Sequence, residues 1–284
     1  MNKTEELNIT DIPQATHDVV CEHLALYTVG LQKIVNTPQG ESMRLLGSGT
    51  LVEIAGLPCI LTAQHVLKEF YQDDRLNLLT SFSGAMRRHV FDTIHLEIHR
   101  IAKGDDDSAG PDICLIVLPA AGIGYLRSEK NFYNIDKCIN RFRDGFPDRS
   151  MGFWFNCGVL GAGEKELGNI DGFVNVKGYW GLCGVSANPN EHEQDGYDYL
   201  DVRIEHGSNN EELPSTLGGM SGSGIWQVLM RKNSEREITP EEYILSGVTF
   251  YETATVNNKK LLRGHGRKTV YHCVPEYLRL QRKL

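Results

Sequence analysis

Ten short runs rich in β-branched and aromatic residues constrain this chain more than any other feature. They occupy 43–54, 58–62, 90–101, 113–118, 151–160, 172–180, 198–205, 223–231, 244–254 and 268–273, with glycine or polar turns between them. Many short strands separated by turn signals predict an all-β sandwich or barrel. The 29 glycines favour the same turn-rich fold over a helical bundle. Helices are expected only at the two ends. One spans 14–26, where Ala15, Val19, Val20, His23 and Leu24 fit an amphipathic face. The other runs from Pro275 to Leu284, with Pro275 at its first turn.

A chain of 284 residues can bury one large core or two small ones. The pattern divides it into an N-terminal extension (1–26), a first barrel (27–125), a less regular linker (126–149), a second barrel (150–274) and a terminal helix (275–284). Three loops read as exposed: 103–111, 186–198 and 231–242. There is no long internal repeat. The short echo between Trp154-Phe-Asn-Cys157-Gly-Val and Trp180-Gly-Leu-Cys183-Gly-Val reads as two similar buried strands of the second half.

Composition excludes several classes. The net charge of −8 and the lack of any basic stripe before Arg279–Lys283 argue against nucleic acid as a partner. No stretch is apolar for the ~20 residues a membrane helix needs. Met1–Thr10 is polar and lacks the basic start and apolar run of a secretory signal, which predicts a cytoplasmic chain. The seven cysteines form no C-x-x-C pair and read as reduced thiols, with Cys59 and Cys114 inside apolar runs as small core residues.

Two segments carry chemistry. In the first, Gly47-Ser-Gly-Thr-Leu-Val-Glu-Ile54 is followed by Ile60-Leu-Thr-Ala-Gln-His65-Val, so a histidine sits just past the end of a strand. In the second, Leu217-Gly-Gly-Met-Ser221-Gly-Ser-Gly-Ile-Trp226, glycines surround a serine. A serine hydroxyl needs an adjacent base to act as a nucleophile at neutral pH, and the oxyanion it generates needs backbone N–H donors. Gly219 lets the backbone approach substrate without a side chain in the way, so the amides of Gly219 and Ser221 are the expected oxyanion donors. A third residue must hold the imidazole. Asp112, immediately before the apolar run Ile113–Leu118, is the best-anchored choice, with Asp92, Asp105, Asp106 and Asp107 as competitors.

These residues carry a family resemblance. Thr62-Ala-Gln-His65, Asp112-Ile-Cys-Leu-Ile and Gly219-Met-Ser221-Gly-Ser resemble the histidine, aspartate and serine motifs of trypsin-like serine proteases, in the family's order. The resemblance covers about 47–275. It implies two six-stranded antiparallel β-barrels with the catalytic cleft between them, a C-terminal helix packed outside, and a serine endopeptidase that cleaves protein or peptide substrates without a cofactor or metal. Met220 stands where secreted trypsins carry the aspartate that pairs with a cleaved N-terminus, and Val66 replaces a half-cystine. The chain therefore resembles the bacterial non-zymogen type, glutamyl endopeptidases and HtrA-like protease domains, a likeness that Ser223 shares.

The resemblance places Ser215 at the floor of the specificity pocket, which gives no support for cleavage after Lys or Arg. Thr216 lies beside it, Thr249 and Phe250 are expected to flank the cleft, and Tyr251 narrows it. His265, in Gly264-His-Gly266, reads either as a pocket histidine or as a turn residue. With Gly218 and Gly219, Met220 lies in a run, 215–220, expected to be flexible and ordered by a regulatory protein partner or a ligand. His95, Glu97 and His99 read as a polar strand face opposite a buried one (Ile94, Leu96, Ile98), not as metal ligands. An α/β-hydrolase is excluded by order, because no aspartate follows Ser221. A catalytically silent interaction module on the same scaffold is the alternative function.

Overall fold

The computed structural model describes residues 12–68, 70, 74–80, 88–104, 110–170, 173–186, 189–205, 216–232, 237–253 and 261–283, with backbone alone at 88, 163–170, 173–186 and 204–205. The first half contains α1 (Gln14–Ala25), β1 (Thr28–Thr37), β2 (Gly40–Ile54), β3 (Leu57–Thr62), β4 (Arg75–Leu79), β5 (Arg88–Asp92), β6 (Glu97–Lys103) and β7 (Asp112–Val117). Then come α2 (Ile123–Arg127), β8 (Tyr133–Asn134) and α3 (Ile135–Asp144). The second half contains β9 (Phe153–Ile170), β10 (Phe173–Ser186), β11 (Asn190–Gln194), β12 (Tyr197–Glu205), β13 (Gly224–Lys232), β14 (Ile238–Glu252), β15 (Leu261–His265) and α4 (Val274–Arg282).

The expected all-β, two-barrel architecture is the one observed. In the second half β12, β15, β14, β13, β9 and β10 close into a ring of six, because β10 pairs back onto β12 through Val185 and Ser186. β11 lies outside that ring, paired to β12. The first half runs β5-β4-β1-β2-β3-β7-β6 with the short β8 added in parallel to β2, eight strands where six were expected, and a single parallel bridge from Glu41 to Phe173 joins the two halves.

Strand β7 shows why its apolar run is unbroken. Successive side chains point to opposite faces. Ile113, Leu115 and Val117 enter one core, shared with Val20 and Leu24 of α1, Ile135 and Ile139 of α3, Leu278 of α4, and Trp226 of β13. Cys114 and Ile116 enter another with Ile60 and Leu51, inside the first barrel. A strand buried on both faces needs hydrophobic residues at every position. The two barrels and three helices therefore share one core at the strand that begins with Asp112. Cys59 and Cys114 are buried in these cores, and burial pushes both thiols up to about 12.

Several expectations are corrected. The run 90–101 is interrupted by a 3₁₀ turn at Thr93–His95, which leaves Ile94 exposed while Leu96 and Ile98 pack on the first-barrel core. The polar face there carries α4, with Arg282 paired to Glu97 and the His99 ring against Tyr277. The run 268–273 is a π-helical turn leading into α4 rather than a strand. Buried Asp198 decides this, its carboxylate accepting from the amides of Lys268 and Thr269 and the Thr269 hydroxyl, a cap that starts a helix. Of the 186–198 segment, β11 is exposed as expected while Asp198 is buried, and residues 187 and 188, with 105–109 and 233–236 of the other two loops, lie outside the described residues. The echoing stretches pair with each other, Cys157 opposite Cys183. β1 was not anticipated because Gly30, Gln32, Lys33 and Asn36 dilute its pattern, and its partners β2 and β4 supply the missing information. Helix α3 lies within the expected linker, started by Asn134 accepting the Lys137 amide at 2.9 Å.

Candidate active site

The Gly-Ser-Gly of β2 lies where the two halves meet. A Cβ on Gly47 would come 2.8 Å from the Val66 side chain and 2.9 Å from the Ser221 carbonyl oxygen, so this strand separates the histidine turn from the serine loop by the width of a glycine. His65 sits on a 3₁₀ turn, Gln64–Leu67, that follows β3 directly. Val66 and Leu67 are buried and pin the turn, leaving the His65 side chain one-third exposed.

Asp112 is the buried first residue of β7. Its Oδ1 accepts the His65 backbone amide at 3.0 Å and its Oδ2 accepts Nδ1–H of the same residue at 2.6 Å. Both carboxylate oxygens are thus spent on one histidine, which fixes the ring's orientation and leaves Nε2 facing away from the carboxylate. Among the competitors, Asp92 is exposed, and Asp105, Asp106 and Asp107 lie outside the described residues.

The serine loop is gripped from β2. Ser48 N–H donates to the Ser221 carbonyl at 2.7 Å, and its hydroxyl donates to the Gly219 carbonyl at 2.7 Å while accepting the Val159 amide at 2.8 Å. The Thr50 hydroxyl donates to the Gly222 carbonyl at 3.0 Å. With these carbonyls held, the loop's amides divide into two sets. Those of Gly218, Met220, Gly222 and Ser223 all have protein acceptors, whereas among the described residues those of Gly219 and Ser221 have none. Two unengaged amides at a serine can receive an anion. Gly219 has φ +99°, and a Cβ there would come 2.5 Å from the Val159 carbonyl.

Gly222 is equally constrained, with φ +93° and no room for a Cβ beside Ser48 O and Thr62 Oγ1. Gly222→Ala is expected to lower unfolding free energy by about 2–5 kcal/mol, from left-handed strain and overpacking together. Chemical denaturation of the variant against the parent measures it, and a change below about 0.5 kcal/mol would contradict this reading.

The Ser221 hydroxyl donates to the Phe250 carbonyl at 3.3 Å rather than to His65. Phe250 and Thr249 do not flank an open cleft as expected. The Phe250 ring is buried against Tyr199 and His265, and the Thr249 side chain points into the second barrel, accepting from Asn156 at 2.7 Å. The bulge at Thr249/Tyr251 breaks the strand's alternation, so that both of these neighbouring side chains are buried and the Phe250 carbonyl meets the serine. Tyr251 is half-buried against the first-barrel core, and Thr216 is exposed, its hydroxyl donating to Glu252 at 3.1 Å. Ser215 lies outside the described residues. The 216–220 run is anchored rather than loose. Met220 is buried with Leu160, Leu217 and Leu262, the Gly218 carbonyl accepts the Gly161 amide at 2.8 Å, and the Leu217 amide donates to Glu252 at 2.8 Å.

His265 is neither a turn residue nor exposed to the cleft. It is the fully buried end of β15, and its Nε2 accepts the Asp112 amide at 2.9 Å. Its flanking glycines serve packing: a Cβ on Gly264 would come 2.5 Å from Ile225 and 2.6 Å from the Val248 carbonyl. Burial holds the imidazole down at about 4, below its ordinary 6.5. Because the unfolded chain takes up this proton first, the stability present above pH 6.5 is lost progressively as pH falls toward 4, by up to about 3 kcal/mol. Urea unfolding at pH 7 and pH 4.5 is expected to show the drop, with a smaller one in His265→Gln.

The sequence motifs contain Ser48 and Thr62 without disclosing a role for either, and local pattern gives no sign of Glu252 or Asn156. Ser48 carried the one available signal, a serine between two glycines on the strand preceding the histidine. Among the described residues, no group of three or more His, Cys, Asp or Glu side chains is placed to hold a metal, and no helix is long and apolar enough to cross a membrane.

No protein-family model and no curated protein matches the chain. Among solved structures, it resembles one described as "Aromatic interactions drive the coupled folding and binding of the intrinsically disordered Sesbania mosaic virus VPg protein", at 14% identity and TM-score 0.42, covering 87% of this chain and 88% of that one. It also resembles tobacco vein mottling virus protease, at 12% identity and TM-score 0.36, covering 87% of this chain and 81% of that one. Likenesses this distant transfer no residue roles.

Proposed function

We propose that the chain is a serine endopeptidase of trypsin-like mechanism, akin to the non-zymogen bacterial type, acting on protein or peptide substrates. The observation that carries the reading is the pair of hydrogen bonds that His65 donates to the Asp112 carboxylate, beside a serine loop with two unengaged amides. In this mechanism, rotation of the Ser221 hydroxyl from the Phe250 carbonyl brings its proton to His65 Nε2, and Oγ attacks the scissile carbonyl. The amides of Gly219 and Ser221 receive the oxyanion. The His65 imidazolium, stabilised by Asp112, then gives its proton to the leaving amine, and water resolves the acyl-enzyme. Substrate backbone or a regulatory protein that takes up the Phe250 carbonyl would release the hydroxyl for this step.

A second reading has its own observation. The resting hydrogen bond from Ser221 to Phe250 leaves nucleophile and base unconnected, as a silent interaction module would allow. Fluorophosphonate labelling separates the two. Labelling at Ser221, located by mass spectrometry and abolished by His65→Ala, supports the enzyme. A folded protein that resists labelling with and without peptide substrates supports the module.

A further inference from the structure

We propose that His265 is a positioning residue for the catalytic aspartate: by accepting the Asp112 amide proton, the second barrel sets the angle from which both carboxylate oxygens reach His65. The inference rests on the serine-hydrolase reading for its functional meaning.

Asp112 makes three hydrogen bonds that fix it. Its carboxylate accepts two from His65, and its own backbone amide donates the third to His265 Nε2 at 2.9 Å. The first two tie the aspartate side chain to the histidine turn, and the third holds its backbone. On β7 the Asp112 backbone opposes Lys103, near the end of the β6–β7 pair and just beyond a register irregularity, with the Gly104 amide donating to the Pro111 carbonyl at 2.7 Å. The acceptor for the Asp112 amide itself comes from the other barrel. His265 is held between Tyr199 of β12 and Val248 of β14 by strand pairing on both sides. The rings of Tyr199 and Phe250 pack against its imidazole at 5.1 and 4.9 Å between centroids. The same two rings underlie the approach to Asp112, since a Cβ on Gly110 would come 2.9 Å from Tyr199 and 3.0 Å from Phe250.

Chemistry selects the residue. The acceptor must be a buried sp² nitrogen or oxygen aimed along the strand's hydrogen-bonding direction, and a charged imidazole could not accept. Nε2 accepts only if the ring is neutral with its proton on Nδ1. Nδ1 has no hydrogen-bond partner among the described residues, a cost tolerated in exchange for the contact that Nε2 makes. His265 touches no reacting group. It acts through Asp112.

The full-length, isotope-labelled protein tests this without any substitution. The expected result is a through-hydrogen-bond nitrogen–nitrogen coupling between the Asp112 amide and His265 Nε2, with His265 in the Nδ1–H form. Its absence, or a protonated Nε2, would overturn the proposal. Two variants then test the consequence, with thermal unfolding confirming that each is folded. In His265→Leu the downfield His65 Nδ1 proton resonance is expected to shift or exchange away, and fluorophosphonate labelling of Ser221 to slow roughly 10–100-fold, as for a displaced catalytic group. In His265→Gln, whose carbonyl can accept the same amide, the resonance and most of the rate should return. A folded Leu variant with an unchanged His65 resonance would also overturn the proposal. If the parent never labels at Ser221 while the coupling is present and the resonance responds to the Leu variant, the hydrolase reading fails and the positioning contact stands.

Discussion

Ser221→Ala is expected to lower peptide-bond hydrolysis by about 10⁶-fold in kcat, with little change in thermal stability. The functional loss follows from removal of the hydroxyl proposed as the nucleophile, on the loop whose Gly219 and Ser221 amides are unengaged among the described residues. The small effect on stability follows from the bond that is lost. The hydroxyl makes one contact, to the Phe250 carbonyl at 3.3 Å, in a half-buried position, and the backbone bonds from Ser48 to the Ser221 and Gly219 carbonyls do not involve the serine side chain. A peptide-library digest read by mass spectrometry, parent against variant at equal concentration, measures the effect. Cleavage by the pure Ala variant at a tenth of the parental rate would rule out Ser221 as the nucleophile. Covalent labelling should vanish in the same variant.

Asp112→Asn should cost about 10⁴-fold in kcat while leaving the site's geometry nearly intact. Asp112 presents two acceptors to two donors of His65, the backbone amide at 3.0 Å and Nδ1–H at 2.6 Å. An asparagine has one acceptor oxygen and one NH₂ group. If the oxygen keeps the backbone amide, the NH₂ faces Nδ1 and drives the ring proton to Nε2, the nitrogen that must be free to take the serine proton. If the oxygen turns to Nδ1, the NH₂ confronts the His65 amide and a buried donor is left unpaired. Either arrangement disables the base or displaces it. Kinetics with a chromogenic peptide should therefore show a fall in kcat with KM nearly unchanged. An Asn variant within tenfold of the parent would show that the aspartate does not set the tautomer.

The fold was legible wherever local pattern and burial agree. The ICLIV run of β7, the LTAQH segment and the GGMSGSG loop could each be read from neighbouring residues, because a strand buried on both faces and a glycine-bracketed turn leave marks on adjacent positions. Where a segment's fate depended on a distant partner, local pattern misled. The run 268–273 has strand-like residues yet turns helical because the Asp198 carboxylate caps it from β12. Thr249 and Phe250 read as cleft walls, but a bulge and an aromatic core turn their side chains inward, so that only the Phe250 carbonyl faces the serine.

The sequence by itself determined the β class, the two-part division of the strand pattern, and the identities of the three residues proposed for catalysis, because each needs only its own neighbours to be recognisable. Tertiary structure alone decided how they are held. It took Ser48 from one barrel to grip the carbonyls of a loop in the other, at Gly219 and Ser221, and His265 from the second barrel to hold the backbone of Asp112 in the first. Hydrogen bonds between residues 153 and 171 positions apart leave no periodicity or spacing in a single chain. They exist only when the closed sheets bring those donors and acceptors within about 3 Å, and that closure depends on every strand at once.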